Sequence, residues 1–388
     1  MNKIEYPLAK DTISDHDIDN LINWLKTYPR LTKGELTVKF EKAWAKYIGT
    51  KYSVFCNSGS SANLLMAYAA KVAKPRNMKV VVPSVGWVTT IAPFMQFGFD
   101  PIMVGADAKT YGIDLDDLEK VCIEEDPATV IFVQVLGIPH DAERLHALSK
   151  KYNFTLLEDG CAALGAEYAN GKKVGTVGKM SSFSFYFGHQ LATIEGGMVN
   201  TDDFETYQML LMLRSHGWGK DLDESVYDGL VEENGVDDFH KPFTFFVPGF
   251  NLRATDLQAF IGIDQVKKAP WVSEARERNH KRYAENLRGT FKFQDWGTNK
   301  PVSISFGLLA KDKAQRTKIV KMLRGAGVET RIFSAGNLGK HPFWKAEYGE
   351  FSHPVSDEIH DCGFFLPNNP ELGTEDIDRI CDLVKCVL

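Results

Sequence analysis

The sequence is short of paired cysteines, of excess basic charge and of long charge-free hydrophobic runs, and each shortage excludes a class of protein. Six cysteines occur in 388 residues, at Cys56, Cys122, Cys161, Cys362, Cys381 and Cys386, and no two are spaced as C-x-x-C or C-x-C. Cys381 and Cys386 fall five apart on a predicted helix, so they do not share a face. That pattern fits reduced, mostly buried thiols in a cytoplasmic protein and does not supply an iron–sulfur cluster. No metal site is expected. Lys and Arg number 45 against 51 Asp and Glu, a net charge of -6, and they are spread along the chain. This excludes a nucleic-acid-coating surface, though a nucleotide held by a few local cations stays open.

The opening Met-Asn-Lys-Ile-Glu-Tyr-Pro has no apolar signal-peptide core. One stretch, Val80 to Phe99, lacks any charged residue and is long enough to span a membrane. It also carries Pro83, Gly86, Pro93 and Gly98 among Ser84, Thr89, Thr90 and Gln96. It therefore reads as a buried strand, a loop and a helix, and no membrane contact is expected. Repeats and low-complexity segments are absent as well.

What is present is alternation. Apolar runs at Tyr52–Cys56, Val80–Pro83, Ile102–Val104, Thr129–Val135, Thr155–Leu157 and Ser181–Phe187 read as strands. Helix-like stretches lie near 60–74, 87–97, 115–124 and 141–152. Strands alternating with helices predict an α/β fold, a mostly parallel sheet covered on both faces. Ligands of such sheets gather at the strand C-termini. Residues 219–247 are acidic, loop-like and poor in periodicity, and Pro248-Gly249 then opens a new helical segment. The boundary is placed there, giving a large domain over 1–248, N-terminal arm included, and a smaller α+β domain over 249–388. Strands are expected in the latter at Val302–Leu308 and Val328–Phe333.

Several residues at strand ends carry potential chemistry. Asn57-Ser58-Gly59-Ser60-Ser61-Ala62-Asn63 follows a strand and opens a helix, where backbone N–H groups attract an anion and Gly59 permits close approach. An ordinary serine-capped helix looks the same. Trp87 follows the next strand; taken alone, such a tryptophan is more often core packing. Glu158-Asp159 ends a buried strand with two carboxylates, either a site or a turn. Ser184 and Ser182 lie on one strand, five and seven residues before His189. His216, in Ser215-His216-Gly217-Trp218, is a second imidazole, and a lone histidine is more often structural. Gly249-Phe250-Asn251-Leu252-Arg253 follows the loop-like region, and Arg331 lies on a C-terminal strand.

In this order the motifs resemble the DegT/DnrJ/EryC1-type sugar aminotransferases of the pyridoxal-phosphate (PLP) aspartate-aminotransferase superfamily, over about residues 5–385. The resemblance implies the PLP-dependent fold type I. It implies that Gly59, Ser60 and Ser184 grip the cofactor phosphate, with Ser182 the alternative if the register shifts. Trp87 would stack on the pyridine ring and Asp159 would hold its nitrogen protonated. Asn251, within Gly-x-Asn-x-Arg, would reach the phosphate of a second subunit, implying a homodimer with composite sites. Arg331 is a candidate for the substrate diphosphate.

Two departures stand out. Where the family places its cofactor-binding lysine, five residues after the serine and six before Glu195-Gly196-Gly197, this chain has His189. A lysine forms a Schiff base with the cofactor and moves protons; an imidazole only moves protons. Lys172, Lys173, Lys179 and Lys220 do not match the anchor register. Where relatives carry a glutamine or an acid, this chain has Ala162.

Histidine at that position, with His216-Gly-Trp and Trp87-Val-Thr-Thr, resembles the 3-dehydratase branch of the family. The branch members that bind a [2Fe–2S] cluster use cysteines this chain lacks, which favours the GDP-sugar type. The implied reaction uses pyridoxal and pyridoxamine phosphate with L-glutamate as amino donor. It removes the C3 hydroxyl from GDP-4-keto-6-deoxymannose or a similar sugar nucleotide and releases ammonia, with His189 as acid/base and His216 as a possible second group. A sugar aminotransferase and a non-catalytic binding protein on the same fold are the alternative expectations.

Overall fold

The computed structural model describes residues 4–387. Seven strands make one sheet: β1 (Tyr52–Cys56), β2 (Lys79–Pro83), β3 (Asp100–Val104), β4 (Thr129–Val133), β5 (Thr155–Asp159), β6 (Met180–Ser184) and β7 (Gly197–Thr201). Their order is β1-β7-β6-β5-β4-β2-β3. The run from β3 to β6 is parallel, and β7 lies antiparallel between β1 and β6.

Helices cover both faces, as the uninterrupted apolar strands require. The helices before the sheet are α1 (Asp15–Leu25) and α2 (Glu35–Ile48). Those within it are α3 (Gly59–Val72), α4 (Val88–Gln96), α5 (Leu115–Glu125), α6 (Ala142–Tyr152) and α7 (Phe204–Arg214). Val80 and Val82 point to a core shared with Leu65, Ile91, Phe94 and Leu210, while Val81 between them points to Leu118, Leu145 and Leu148. Each such buried aliphatic side chain contributes about 1.5–3 kcal/mol. The charge-free stretch expected to be strand, loop and helix is β2, a loop and α4, and no described helix is long and apolar enough to cross a membrane.

The strand expected over 181–187 stops at Ser184. Phe185 leaves the ladder to bond the loop behind it, its N–H donating to Gly196 at 2.9 Å while its carbonyl accepts from Thr193 at 2.9 Å. The region expected to be loop contains α8 (Glu224–Glu233), which buries none of its residues and so has no apolar stripe for a sequence to display. Pro248-Gly249 does not open a helix. The chain stays extended until Thr255 caps α9 (Asp256–Leu287), where a capping box with Gln258 starts the helix.

α9 is 32 residues long. Its first half packs with α2 against Phe183 and Phe185, and its last turns pack Tyr283, Ala284 and Leu287 into a second core. That core backs an antiparallel four-stranded sheet, ordered β10-β11-β9-β8, of β8 (Lys292–Phe293), β9 (Ser305–Leu309), β10 (Arg331–Ile332) and β11 (Gly363–Pro367). Helices α10 (Lys313–Gly325), α11 (Pro342–Tyr348), α12 (Pro354–Cys362) and α13 (Thr374–Lys385) complete the C-terminal part. Tyr6 near the N-terminus bridges to Val328 beside this sheet.

Candidate active site

Asp159 is the last residue of β5, at the C-terminal edge of the sheet, and only 3% exposed. A buried carboxylate needs donors, and neighbouring elements supply them. Asn63 from α3 donates to Oδ2 at 2.9 Å, and Thr90 from α4 donates to the same oxygen at 2.6 Å. The N–H of Cys161 reaches Oδ1 at 3.1 Å. Ser182 of β6 donates to the carbonyl oxygen of Asn63 at 2.6 Å. Glu158, one residue earlier, points to the other face. It accepts from Gln134 at 2.9 Å, Tyr168 at 2.5 Å and the N–H of Gly175 at 2.8 Å. Burial and this carboxylate together push the Tyr168 phenol well above its ordinary pKa.

His189 sits in the loop leaving β6. Its N–H donates to Tyr186 at 2.9 Å, and the next residue, Gln190, is buried and ties the loop down by donating to Ala162 at 2.6 Å and Val302 at 2.9 Å. The His189 ring is half-buried. Its Nδ1 is enclosed and has no hydrogen-bond partner. Burial pushes the imidazole pKa down to about 4; Asp159 pulls it up, Arg276 pushes it further down, and the nearby Cys161 main chain raises it. The group is therefore a free base at neutral pH.

The turn that opens α3 lies against the end of β6. A Cβ on Gly59 would stand 2.5 Å from the Ser184 Cβ, and one on Gly197 would stand 2.0 Å from the Ser58 carbonyl oxygen. Two glycines thus let three segments converge on the N-terminus of a 14-residue helix. Ser58 caps that helix by accepting from the Ser61 N–H at 3.0 Å, and the Ser60 hydroxyl faces Thr89 at 3.2 Å. Of the two serines left open by the sequence register, Ser184 faces Gly59 and Ser182 belongs to the Asp159 network.

Trp87 is 59% exposed at the N-terminus of α4, so it is not a core residue. His216 and Asn251 come together on a separate strand-like contact. The Asn251 carbonyl oxygen accepts from Arg253 Nε at 3.0 Å, and Arg253 Nη2 lies 3.3 Å from His216 Nε2. Ser215 bridges to Asn251, and Cys56, at the end of β1, bridges to Arg253, so this trio borders the Gly59 turn. Arg331 lies elsewhere, exposed on β10 and paired with Glu329 at 3.1 Å. No described contact joins it to Asp159 or His189. Away from the site, Asp114, Asp117 and His353 place ligand atoms within 4.8 Å of one another. Asp114 is already engaged in capping α5 and Asp117 in pairing with Lys120.

Asn63, Thr90, Gln190 and Arg276 were not singled out as site residues in the sequence. The first two had a usable signal, being polar residues on otherwise apolar helix faces; the last had none, lying in a charged run.

The residues fit a phosphorylated pyridine. A helix N-terminus relieved of side chains by Gly59 suits the phosphate. A buried, fixed carboxylate suits a protonated ring nitrogen, an exposed Trp87 offers a stacking face, and a free-base imidazole stands where no lysine does. Fold and site together define an aminotransferase-like protein of PLP fold type I. The chain belongs to the DegT/DnrJ/EryC1/StrS aminotransferase family, matched over residues 12–385. In sequence it is similar to GDP-4-keto-6-deoxy-D-mannose 3-dehydratase of Yersinia pseudotuberculosis, 36% identical with 98% of each chain covered. In structure it is similar to the E. coli GDP-4-keto-6-deoxy-D-mannose-3-dehydratase with bound hydrated PLP. The TM-score is 0.89 at 29% identity, covering 99% of this chain and 100% of the other. A GDP-4-keto-6-deoxymannose-3-dehydratase with a trapped PLP–glutamate geminal diamine superposes with a TM-score of 0.88 at 29% identity, covering 98% and 100%.

Proposed function

We propose that the protein is a 3-dehydratase of GDP-4-keto-6-deoxy-D-mannose, dependent on pyridoxal or pyridoxamine phosphate and on L-glutamate. The observation that carries this reading is His189, a half-buried imidazole in the loop beyond Ser184, within electrostatic reach of Asp159, at the position where the family's cofactor-binding lysine is expected. The overall change is sugar nucleotide plus L-glutamate giving the 3-deoxy-4-keto sugar nucleotide, 2-oxoglutarate and ammonia. When bound, the cofactor supplies an amine for the C4 ketone and an electron sink.

The chain's residues supply the rest. Gly59, Ser60 and Ser184 hold the phosphate at the α3 N-terminus. Asp159, kept in place by Asn63 and Thr90, holds a proton on the ring nitrogen. Trp87 covers the ring face. The His189 imidazole takes a proton and returns it to the C3 oxygen as the C3–O bond breaks, so that oxygen leaves as water. An imidazole cannot form an imine, so the chain has no amine to take the cofactor's place. The 3-deoxy enamine left on the sugar tautomerises and is hydrolysed, water supplying the C4 ketone oxygen and the nitrogen leaving as ammonia. The exposed Asn251, at the rim of the Gly59 turn, supports a homodimer in which it serves the second subunit's phosphate, with His216 beside it as a further proton carrier. Arg331 remains a candidate for the diphosphate.

The test is product analysis with purified protein, pyridoxal phosphate, excess L-glutamate and GDP-4-keto-6-deoxymannose. Mass spectrometry is expected to show loss of one oxygen from the sugar, with one ammonia released per turnover. A GDP-4-amino sugar without ammonia would instead make the protein an aminotransferase.

A further inference from the structure

The middle of α9 buries a cation that has no anion. Arg276 is 1% exposed. Its guanidinium donates only to main-chain carbonyls: through Nη1 to Asn368 at 2.6 Å, Ile304 at 3.1 Å and Ser303 at 3.3 Å, and through Nη2 to His189 at 3.3 Å. Its Nε has no partner, and no described carboxylate pairs with it. Burial alone pushes the guanidinium pKa down to about 9, so it remains charged at neutral pH. A buried charge without an anion costs several kcal/mol, only partly offset by the four main-chain carbonyls it satisfies. The charge therefore needs a reason other than stability.

The reason lies at the end of its reach. Three of its acceptors are on the segments around Ser303 and Asn368, which pack on α9. The fourth is the main chain of His189. We propose that Arg276 is the positioning residue for His189, fixing its main chain from the α9 side and setting a buried positive charge near its imidazole. The groups facing that imidazole come from each packed element. Asp159 at the end of β5 favours the cation, and Arg276 from α9 opposes it. The thiol of Cys161, after β5, is pushed well above its ordinary pKa by burial and by Asp159 and so stays neutral. The Tyr186 ring meets His189 edge-on at 6.3 Å within the same loop. Arg276 thus opposes the pull of the Asp159 carboxylate on the imidazole, burial being the larger influence, and Gln190 fixes the following residue by neutral bonds only.

This inference rests on His189 being the acid/base group, and its test separates the two. The first readout is the His189 imidazole pKa, followed by NMR in 13C-histidine-labelled holoenzyme and assigned with His189→Asn. In Arg276→Gln this pKa is expected to rise by about half a pH unit or more, and the acidic limb of the kcat/KM profile should move with it. In Arg276→Lys the charge stays but the Nη2 bond to the His189 carbonyl is lost. There kcat should fall about tenfold with KM for L-glutamate little changed, while the His189 pKa stays as in the wild type. A folded Arg276→Gln with an unmoved His189 pKa overturns the electrostatic part. Should that variant not fold, Arg276→Lys with wild-type kcat overturns the positioning part. If the wild type turns over no GDP sugar at all, the proposed function fails, yet the NMR shifts still decide the role of Arg276.

Discussion

Asn63 and Asp159 are joined by a 2.9 Å hydrogen bond in which the Asn63 amide donates to Oδ2, while the carbonyl of the same Asn63 accepts from Ser182. The bond fixes both the position of the carboxylate and the orientation of the amide. With Thr90 donating to the same oxygen, two helices and the adjoining strand pin a charge at the end of β5. Neither Asn63 nor Thr90 needs to touch a ligand to matter.

Removing either donor should therefore loosen Asp159 without touching its charge. Asn63→Ala or Thr90→Val is expected to lower stability by about 1–3 kcal/mol, the cost of an unsatisfied buried acceptor. Retention of pyridoxal phosphate, followed by equilibrium dialysis, should weaken in parallel. Thr90→Ser, which keeps the hydroxyl, should retain most of both. A Thr90→Val protein with full cofactor retention would show that Asp159 does not depend on this donor.

The cradle beside Ser184 predicts a steric effect. Gly59→Ala places a methyl 2.5 Å from the Ser184 Cβ, in a helix position where alanine is otherwise favoured. The overpacking should cost about 1–3 kcal/mol, and the methyl should obstruct the N–H groups at the helix start. Phosphate-dependent cofactor affinity should fall at least about tenfold. Pyridoxal, lacking the phosphate, serves as the control: its weak binding should hardly change.

Much of this arrangement was legible in the sequence, for identifiable reasons. Strands buried on both faces leave uninterrupted apolar runs, so β2, β4 and the helices between them follow directly from composition. Asp159 could be located because a carboxylate ending such a run has to lie at the sheet edge. That Glu158 and Asp159 divide the two faces follows from the period of the strand. What stayed hidden depends on tertiary contact. α8 buries nothing and so shows no periodicity. Arg276 sits among charged residues of a long helix, and only the packing of Ser303 and Asn368 around it reveals that this one is enclosed. The end of β6 at Ser184 is set by bonds from Phe185 to residues 193 and 196, a closure no local pattern encodes.

His189 predicts a distinct pH dependence for the reaction. A base with a pKa of about 4 in the folded protein is unprotonated throughout the neutral range. The rate should therefore stay level from neutrality down to about pH 5, and decline as pH falls through about 4, where the imidazole gains its proton. His189→Asn should lower dehydration by about 10²–10⁴-fold while leaving cofactor binding within a few fold. An acidic limb near pH 6.5 in the wild type would assign the proton transfer to a more solvated group.

Stability should show the same sign over a wider window. His189 and His280 are both held below the ordinary value of 6.5, His189 at about 4 and His280 at about 3, with burial the main cause in each. His140 is lowered as well, again chiefly by burial. In the unfolded chain these imidazoles take up protons near pH 6.5, whereas in the folded chain they do not until far lower pH. Between those limits the unfolded state binds more protons, so stability is fully present above about pH 6.5 and is lost progressively as the solution is acidified. The thermal midpoint should therefore drop by several degrees between pH 7 and pH 5. His280 is the cleanest probe, because its Nδ1 bonds Ser303 at 2.7 Å while its Nε2 is enclosed without a partner. His280→Asn should flatten the acid side of the stability profile, even if it lowers stability at pH 7. A profile of unchanged slope in that variant would place the acid sensitivity in the other depressed imidazoles, His140, His189 and His360, instead.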